Sequence, residues 1–193
     1  MAYDTLVIAI NWFGPYSSIS EARSIALSER VEEALYLCIG QRDGDLSSYV
    51  GITSNAPQRL SNNHHKLSLF DPDDMVIWIG IIVSQAAAGR RSSRGSALHT
   101  LAVKTAEKLT AYFLQLPSND RLRSSPPDRS AIVFNRWYEP SGDFKRRKHR
   151  GHHDWPDLIE YDQESEWASV VWFGGKRKRG SVADISWLFD EKI

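Results

Sequence analysis

Residues 75–85, MVIWIGIIVSQ, constrain this chain more than any other stretch. The run is almost wholly apolar, and DPDD at 71–74 closes it on the N-terminal side. Such a run is stable as a strand in the middle of a sheet, covered on both faces. It is too short to span a bilayer, which takes roughly 20 apolar residues.

The rest of the chain supplies partners for that strand. EALYLCIGQ at 33–41 and LSSYVGITS at 46–54 flank Asp43-Gly44, so 34–54 reads as a hairpin. TLVIAINWF at 5–13 reads as a strand, and SSISEARSIALSE after it as a helix with a Ser cap. Asn55 is placed to cap a further helix, with Pro57 in its first turn, running to about Leu69. ALHTLAVKTAEKLTAYFLQL at 97–116 is the clearest helix, with an apolar stripe from Leu98 through Ala102, Ala106 and Leu109 to Phe113 and Leu116. Pro117 ends it. Beyond SSPP at 124–127 the pattern returns to strands, SAIVFNRWY at 130–138 and WASVVWFGG at 167–175, with a basic loop between. This tail either adds a second small sheet or extends the first. Tryptophans 137, 155, 167, 172 and 187 are expected as core or interface residues. The reading is an α+β protein with no internal repeat.

Charge is balanced overall, 24 basic against 24 acidic residues in 193, but it is segregated. GRRSSRG at 89–95, FKRRKHRGHH at 144–153 and GGKRKRG at 174–180 are basic, while ERVEE at 29–33 and DLIEYDQESE at 157–166 are acidic. Separated blocks allow a positive surface on a neutral protein, which suits a polyanion partner. Taken singly, each block also fits a solvated loop. Cys38 is the only cysteine, so neither an internal disulfide nor a cysteine-based zinc site is available, and a reducing, cytoplasmic compartment is expected. MAYDTLVIAINW lacks a basic leader and a cleavage site of the secretory type. HRGHH at 149–153 has no second ligand pair at a zinc spacing. No Ser-His-Asp order, phosphate loop or dinucleotide fingerprint is present.

One carboxylate stands alone. Between Asp74 and Asp120 the only acidic residue is Glu107, nearly opposite the apolar stripe of its helix, with Thr100, Val103, Ala111 and Leu114 around it. It either pairs with Lys104 or Lys108 on the surface, or it is partly buried and holds a cation. ALY at 34–36, YVG at 49–51, Arg59, Glu107 and Asn119 just after Leu116-Pro117 occur in an order that resembles a GIY-YIG nuclease domain over about 34–119. The resemblance implies a three-stranded antiparallel sheet flanked by helices at 34–124, an N-terminal extension at 1–33 and a β-rich, basic C-terminal extension at 125–193 that contacts DNA.

It also implies a chemistry. Family members hydrolyse phosphodiesters with one divalent metal, here Mg²⁺ or Mn²⁺ held by Glu107. Arg59 would clamp the phosphate. Tyr36 would orient or deprotonate the attacking water, Tyr49 would hydrogen-bond water or phosphate, and Asn119 would help orient the site. Gly51 would permit close approach. The first motif lacks its glycine. The family's histidine one turn after the arginine falls on Asn63, so His64, with His65 beside it, is the nearest equivalent, as proton acceptor or phosphate ligand. DNA contacts are expected from Arg90, Arg91 and Arg94, from Lys145, Arg146, Arg147 and Lys148, and from Lys176, Arg177, Lys178 and Arg179. The expectation is a restriction-type endonuclease cutting duplex DNA, as a homodimer or by two visits, without membrane association. A repair or mobile-element nuclease acting on branched or single-stranded DNA would use the same residues. A non-catalytic nucleic-acid-binding module would keep the fold without needing Tyr36, Tyr49, Arg59 and Glu107 together.

Overall fold

The apolar run becomes strand β4 (Val76–Ala87), with β1 (Leu6–Tyr16) antiparallel on one edge and β2 (Ala34–Arg42) antiparallel on the other. The computed structural model describes residues 5–61, 63–87, 97–143 and 155–189. Alternate side chains of β4 enter two different apolar clusters: Trp78 joins one face of the sheet, and Ile77 and Ile79 join the other. Each of these three is at most 2% exposed, which explains why the run shows no alternation. Burying such a side chain contributes about 1.5–3 kcal/mol.

The expected three-stranded sheet is one end of a larger one. β3 (Asp45–Thr53), β5 (Ala131–Tyr138), β6 (Leu158–Asp162), β7 (Trp167–Trp172) and β8 (Lys176–Ser181) complete an eight-stranded mixed sheet in the order β3-β2-β4-β1-β5-β6-β7-β8. Among the described residues, only the β1–β5 pair is parallel. The segments 1–33, 34–124 and 125–193 therefore share one sheet. The reason lies in β4, whose second edge would be bare without β1. Leu6, Ile8, Ile10 and Trp12 of β1 all point to one buried face and continue its core.

Helix α3 (Ala97–Phe113) lies on that face, with Ala102, Ala106, Leu109 and Phe113 buried. On the opposite face, α1 (Ile19–Ser28) covers the β2–β4 end through Ile19, Ala22 and Ala26. Ser18 caps α1 by accepting from the Glu21 N–H, as its sequence suggested. The helix after Asn55 is far shorter than expected. Asn55 does cap it, but α2 covers only Ala56–Arg59, and the next element is a 3-10 turn at Leu67–Leu69. The His64 ring accepts the backbone N–H groups of Lys66 and Leu67, so a side chain takes donors that a helix would have used.

Two strands were hidden by charge. β6 lies inside the acidic block, where Ile159 and Tyr161 are buried and their neighbours are not. The basic Lys176–Arg179 block begins edge strand β8; Gly174 and Gly175, both at positive φ, make the turn before it. Trp137, Trp155 and Trp172 are core residues, as expected, while Trp167 is 51% exposed. Short helices α4 (Asp120–Arg123) and α5 (Ser186–Phe189) complete the described chain. Among the described residues, no helix is long and apolar enough to cross a membrane.

Candidate active site

The site starts from the β2–β3 register. Tyr36 pairs with Gly51 and Cys38 with Tyr49, so both tyrosines project from one face. Their ring centroids are 6.0 Å apart. A Cβ at position 51 would overlap the Tyr36 hydroxyl. Gly51 is there to leave room for that hydroxyl, which is close approach by a side chain rather than by substrate.

The Tyr36 oxygen is a hub of donors. Arg59 Nε–H donates to it at 3.2 Å. His64 Nε2 lies 2.8 Å from it. The roles in that second bond follow from the other ring nitrogen. His64 Nδ1 accepts from Lys66 N at 3.1 Å and Leu67 N at 3.0 Å, so the neutral ring carries its proton on Nε2 and donates it toward Tyr36. Burial, with Arg59 and His65 nearby, lowers the His64 pKa to about 4, so the ring is neutral at ordinary pH. The Tyr49 hydroxyl also bonds Tyr36 and lowers its pKa, while burial, Tyr36 and Glu107 hold Tyr49 above the usual phenol range. Tyr36 is pushed up by burial and pulled down by its bond and charge interaction with Arg59. Tyr36 is 1% exposed. This leaves His64 as a donor that fixes the phenol, not as a proton acceptor. His65 stacks on it from outside at 4.9 Å.

Glu107 approaches from α3. It does not pair with its helix neighbours: Lys108 Nζ bonds Leu122 O and Ser125 Oγ instead, and among the described residues no ion pair joins Glu107 to a lysine. Its carboxylate accepts from the Ile52 backbone N–H and feels Arg59, yet burial dominates and lifts its pKa to about 7. Its charge in turn raises both tyrosines. So Tyr36, Tyr49, Arg59, His64 and Glu107, drawn from β2, β3, α2, the turn after it and α3, form one connected group.

Asn119 has a different task. Its side-chain amide accepts from Val50 N at 2.8 Å and donates to Val50 O at 2.7 Å, as a neighbouring strand would. Ser118 N donates to Ser48 O at 3.0 Å. The outer edge of β3 is thus held at 48, 50 and 52 by Ser118, Asn119 and Glu107. Asn119 positions Tyr49 and Gly51 from behind.

Sequence reading passed over a further group. A cleft of about 380 Å³ opens beside Arg59, and Glu33, Thr100 and Lys104 are among its walls. Glu33 falls in the acidic block at 29–33, and its place directly before the first motif is the available signal. Lys176, Arg177, Lys178 and Arg179 sit on β8, at the far end of the sheet from β3. Arg177 donates to Ser169 Oγ, Lys178 to Leu188 O, and Lys176 lies over the Trp172 ring. Arg90, Arg91, Arg94, Lys145, Arg146, Arg147, Lys148 and the HRGHH stretch lie outside the described residues. Among the described residues no cluster of three or more His, Cys, Asp or Glu side chains is set to cage a metal. The donor set fits a hydrated divalent cation of the Mg²⁺ type, which takes one carboxylate and fills its shell with water and substrate oxygens. No family model, curated protein or solved structure matches the chain.

Proposed function

We propose that the protein is a metal-dependent DNA endonuclease of the GIY-YIG type, a restriction-like cutter of duplex DNA. The observation that supports this is the convergence of Tyr36, Tyr49, Arg59, His64 and Glu107 on one phenol oxygen and one isolated carboxylate. Structural packing alone does not call for a buried tyrosine oxygen ringed by donors, or for a half-buried carboxylate that makes no ion pair among the described residues.

In this reading Tyr36 is the base. Donors from His64, Arg59 and Tyr49 all point at its oxygen, an arrangement that favours the phenolate over the phenol. A free tyrosine titrates near 10, and burial works against ionisation here. When bound at Glu107, a divalent cation would neutralise the scissile phosphate and leaving oxygen, and it would reverse the upward push of the Glu107 charge on both tyrosines. Tyr36 then takes the proton of the attacking water, and Arg59 offers its fork to the phosphate. Gly51 and Asn119 keep the strand and phenol in place.

The test is cleavage of plasmid and oligonucleotide DNA with Mg²⁺ or Mn²⁺, alongside Glu107→Ala and Arg59→Ala. Loss of Arg59 should lower the rate about 10²–10³-fold, the scale of losing one preorganised donor to the developing charge. Cutting that survives both changes would sink the mechanism.

A further inference from the structure

The cleft beside Arg59 continues the proposed active site. Ile52 and Thr53 at the end of β3, Ser54 just after it, Arg59, α3 and Glu33 line it. On α3, Thr100, Val103, Lys104 and Glu107 follow at spacings of 3 and 4, which places them on one helical face. The cleft therefore runs along that face toward the metal-holding carboxylate. From Thr100 to Glu107 the helix advances roughly 10 Å. The volume of about 380 Å³ falls in the range of small-ligand pockets.

Its chemistry is mixed in a specific way. Arg59 and Lys104 supply positive charge, and Ser54 and Thr100 supply hydroxyls. Among the described residues, Glu33 is the one wall of opposite sign. Glu33 Oε2 lies 2.6 Å from His99 Nε2, and His99 is 4% exposed, so the carboxylate is held against a buried ring and is not a loose rim charge. A fixed carboxylate accepts hydrogen bonds and repels phosphate. Beside two cations it selects a ligand that is anionic at one end and carries a donor at the other.

We propose that this cleft seats the nucleotide next to the scissile phosphate, with Lys104 on that nucleotide's second phosphate and Glu33 accepting a hydrogen bond from an N–H of its base. The assignment of the neighbouring phosphate rests on the nuclease reading. In the major groove, the exocyclic amines of cytosine and adenine are the donors such a carboxylate accepts from. Glu33 is therefore a specificity residue for the base at one flank of the cut.

Binding selection tests this without requiring cleavage. The full chain carrying Glu107→Gln is used to select from a randomised duplex, and the same is done with Glu107→Gln plus Glu33→Gln. Glutamine keeps the size of the side chain and an oxygen for His99, and matching melting temperatures confirm the fold. The first protein should enrich cytosine or adenine at one position by about 5- to 100-fold, and Glu33→Gln should reduce that enrichment below about twofold. Lys104→Ala should leave the base preference intact and flatten the salt dependence of binding by about one ion. An unchanged preference in the Glu33→Gln protein, or no DNA retained at all, overturns the subsite. So does a preference that follows a 2′-hydroxyl placed at that position, because the donor would then be sugar. Wild-type cleavage is scored separately. A chain that shows Glu33-dependent selection but never cuts disproves the nuclease reading alone, and a chain that cuts without Glu33-dependent selection disproves the subsite alone.

Discussion

At the scale of single residues, the site rests on one oxygen and one carboxylate. Gly51 was legible as a glycine that permits something to come close, but its partner is Tyr36, directly opposite it on β2. Alanine at 51 leaves the backbone conformation accessible while forcing the phenol off Arg59 and His64. Gly51→Ala should therefore behave kinetically like Tyr36→Phe, each lowering kcat at least about 10²-fold with little change in KM, as read by single-turnover cleavage. Glu107 carries a stability signature independent of activity. Its carboxyl is raised from 4.5 to about 7, so the native state holds this proton more tightly than the unfolded chain. That contribution is fully present below pH 4.5 and is lost as pH rises through about 7. Without added metal, Glu107→Gln should thus melt higher than wild type at pH 8, by on the order of 2 kcal/mol, and the gain should vanish near pH 4. His64 was legible only as one of two neighbouring histidines. Its donor role depends on two backbone bonds to Nδ1 that no helical spacing predicts.

At the scale of elements, the decisive piece is the outer edge of β3. The hairpin, the apolar strand and the long helix were legible because period and turn chemistry agree there. The helix after Asn55 was not, because His64 diverts its backbone donors. Glu107 and Asn119 were recognisable as a pair flanking a helix end, yet their common function is spatial: both fasten the outer edge of β3, at Ile52 and at Val50. Asn119→Ala leaves a buried N–H and C=O of Val50 without partners, a cost of about 2 kcal/mol. For a chain of this size that corresponds to a fall of roughly 4–8 °C in Tm, measured by thermal melting. The loss of cleavage in this variant should be recovered in part at lower temperature, whereas the Tyr36→Phe defect should not.

At the scale of the whole molecule, one sheet carries both the proposed site and a basic edge, at opposite ends. The sequence suggested separate extensions, because β6 and β8 are masked by charged residues and because nothing local reveals that β1 inserts between β4 and β5. The charges on β8 deter edge-to-edge pairing with another chain, and under the proposed function they also meet phosphate. Changing Arg177 and Arg179 together to alanine should lower the slope of log binding constant against log salt by about 1–2 for duplex DNA, with kcat at saturation unchanged. The proposed mechanism requires that the carboxylate of α3 and the phenol of β2 serve one phosphate. The most direct measurement is the pH dependence of single-turnover DNA cleavage at subsaturating Mg²⁺, in wild type and in Glu107→Gln. The expected wild-type rate climbs steeply up to about pH 7 as Glu107 ionises and goes on climbing above it as Tyr36, raised by burial, ionises, with Glu107→Gln binding DNA but not cutting it at any pH. A wild-type rate that ignores pH across that range, or cutting that persists in Glu107→Gln, would contradict the mechanism.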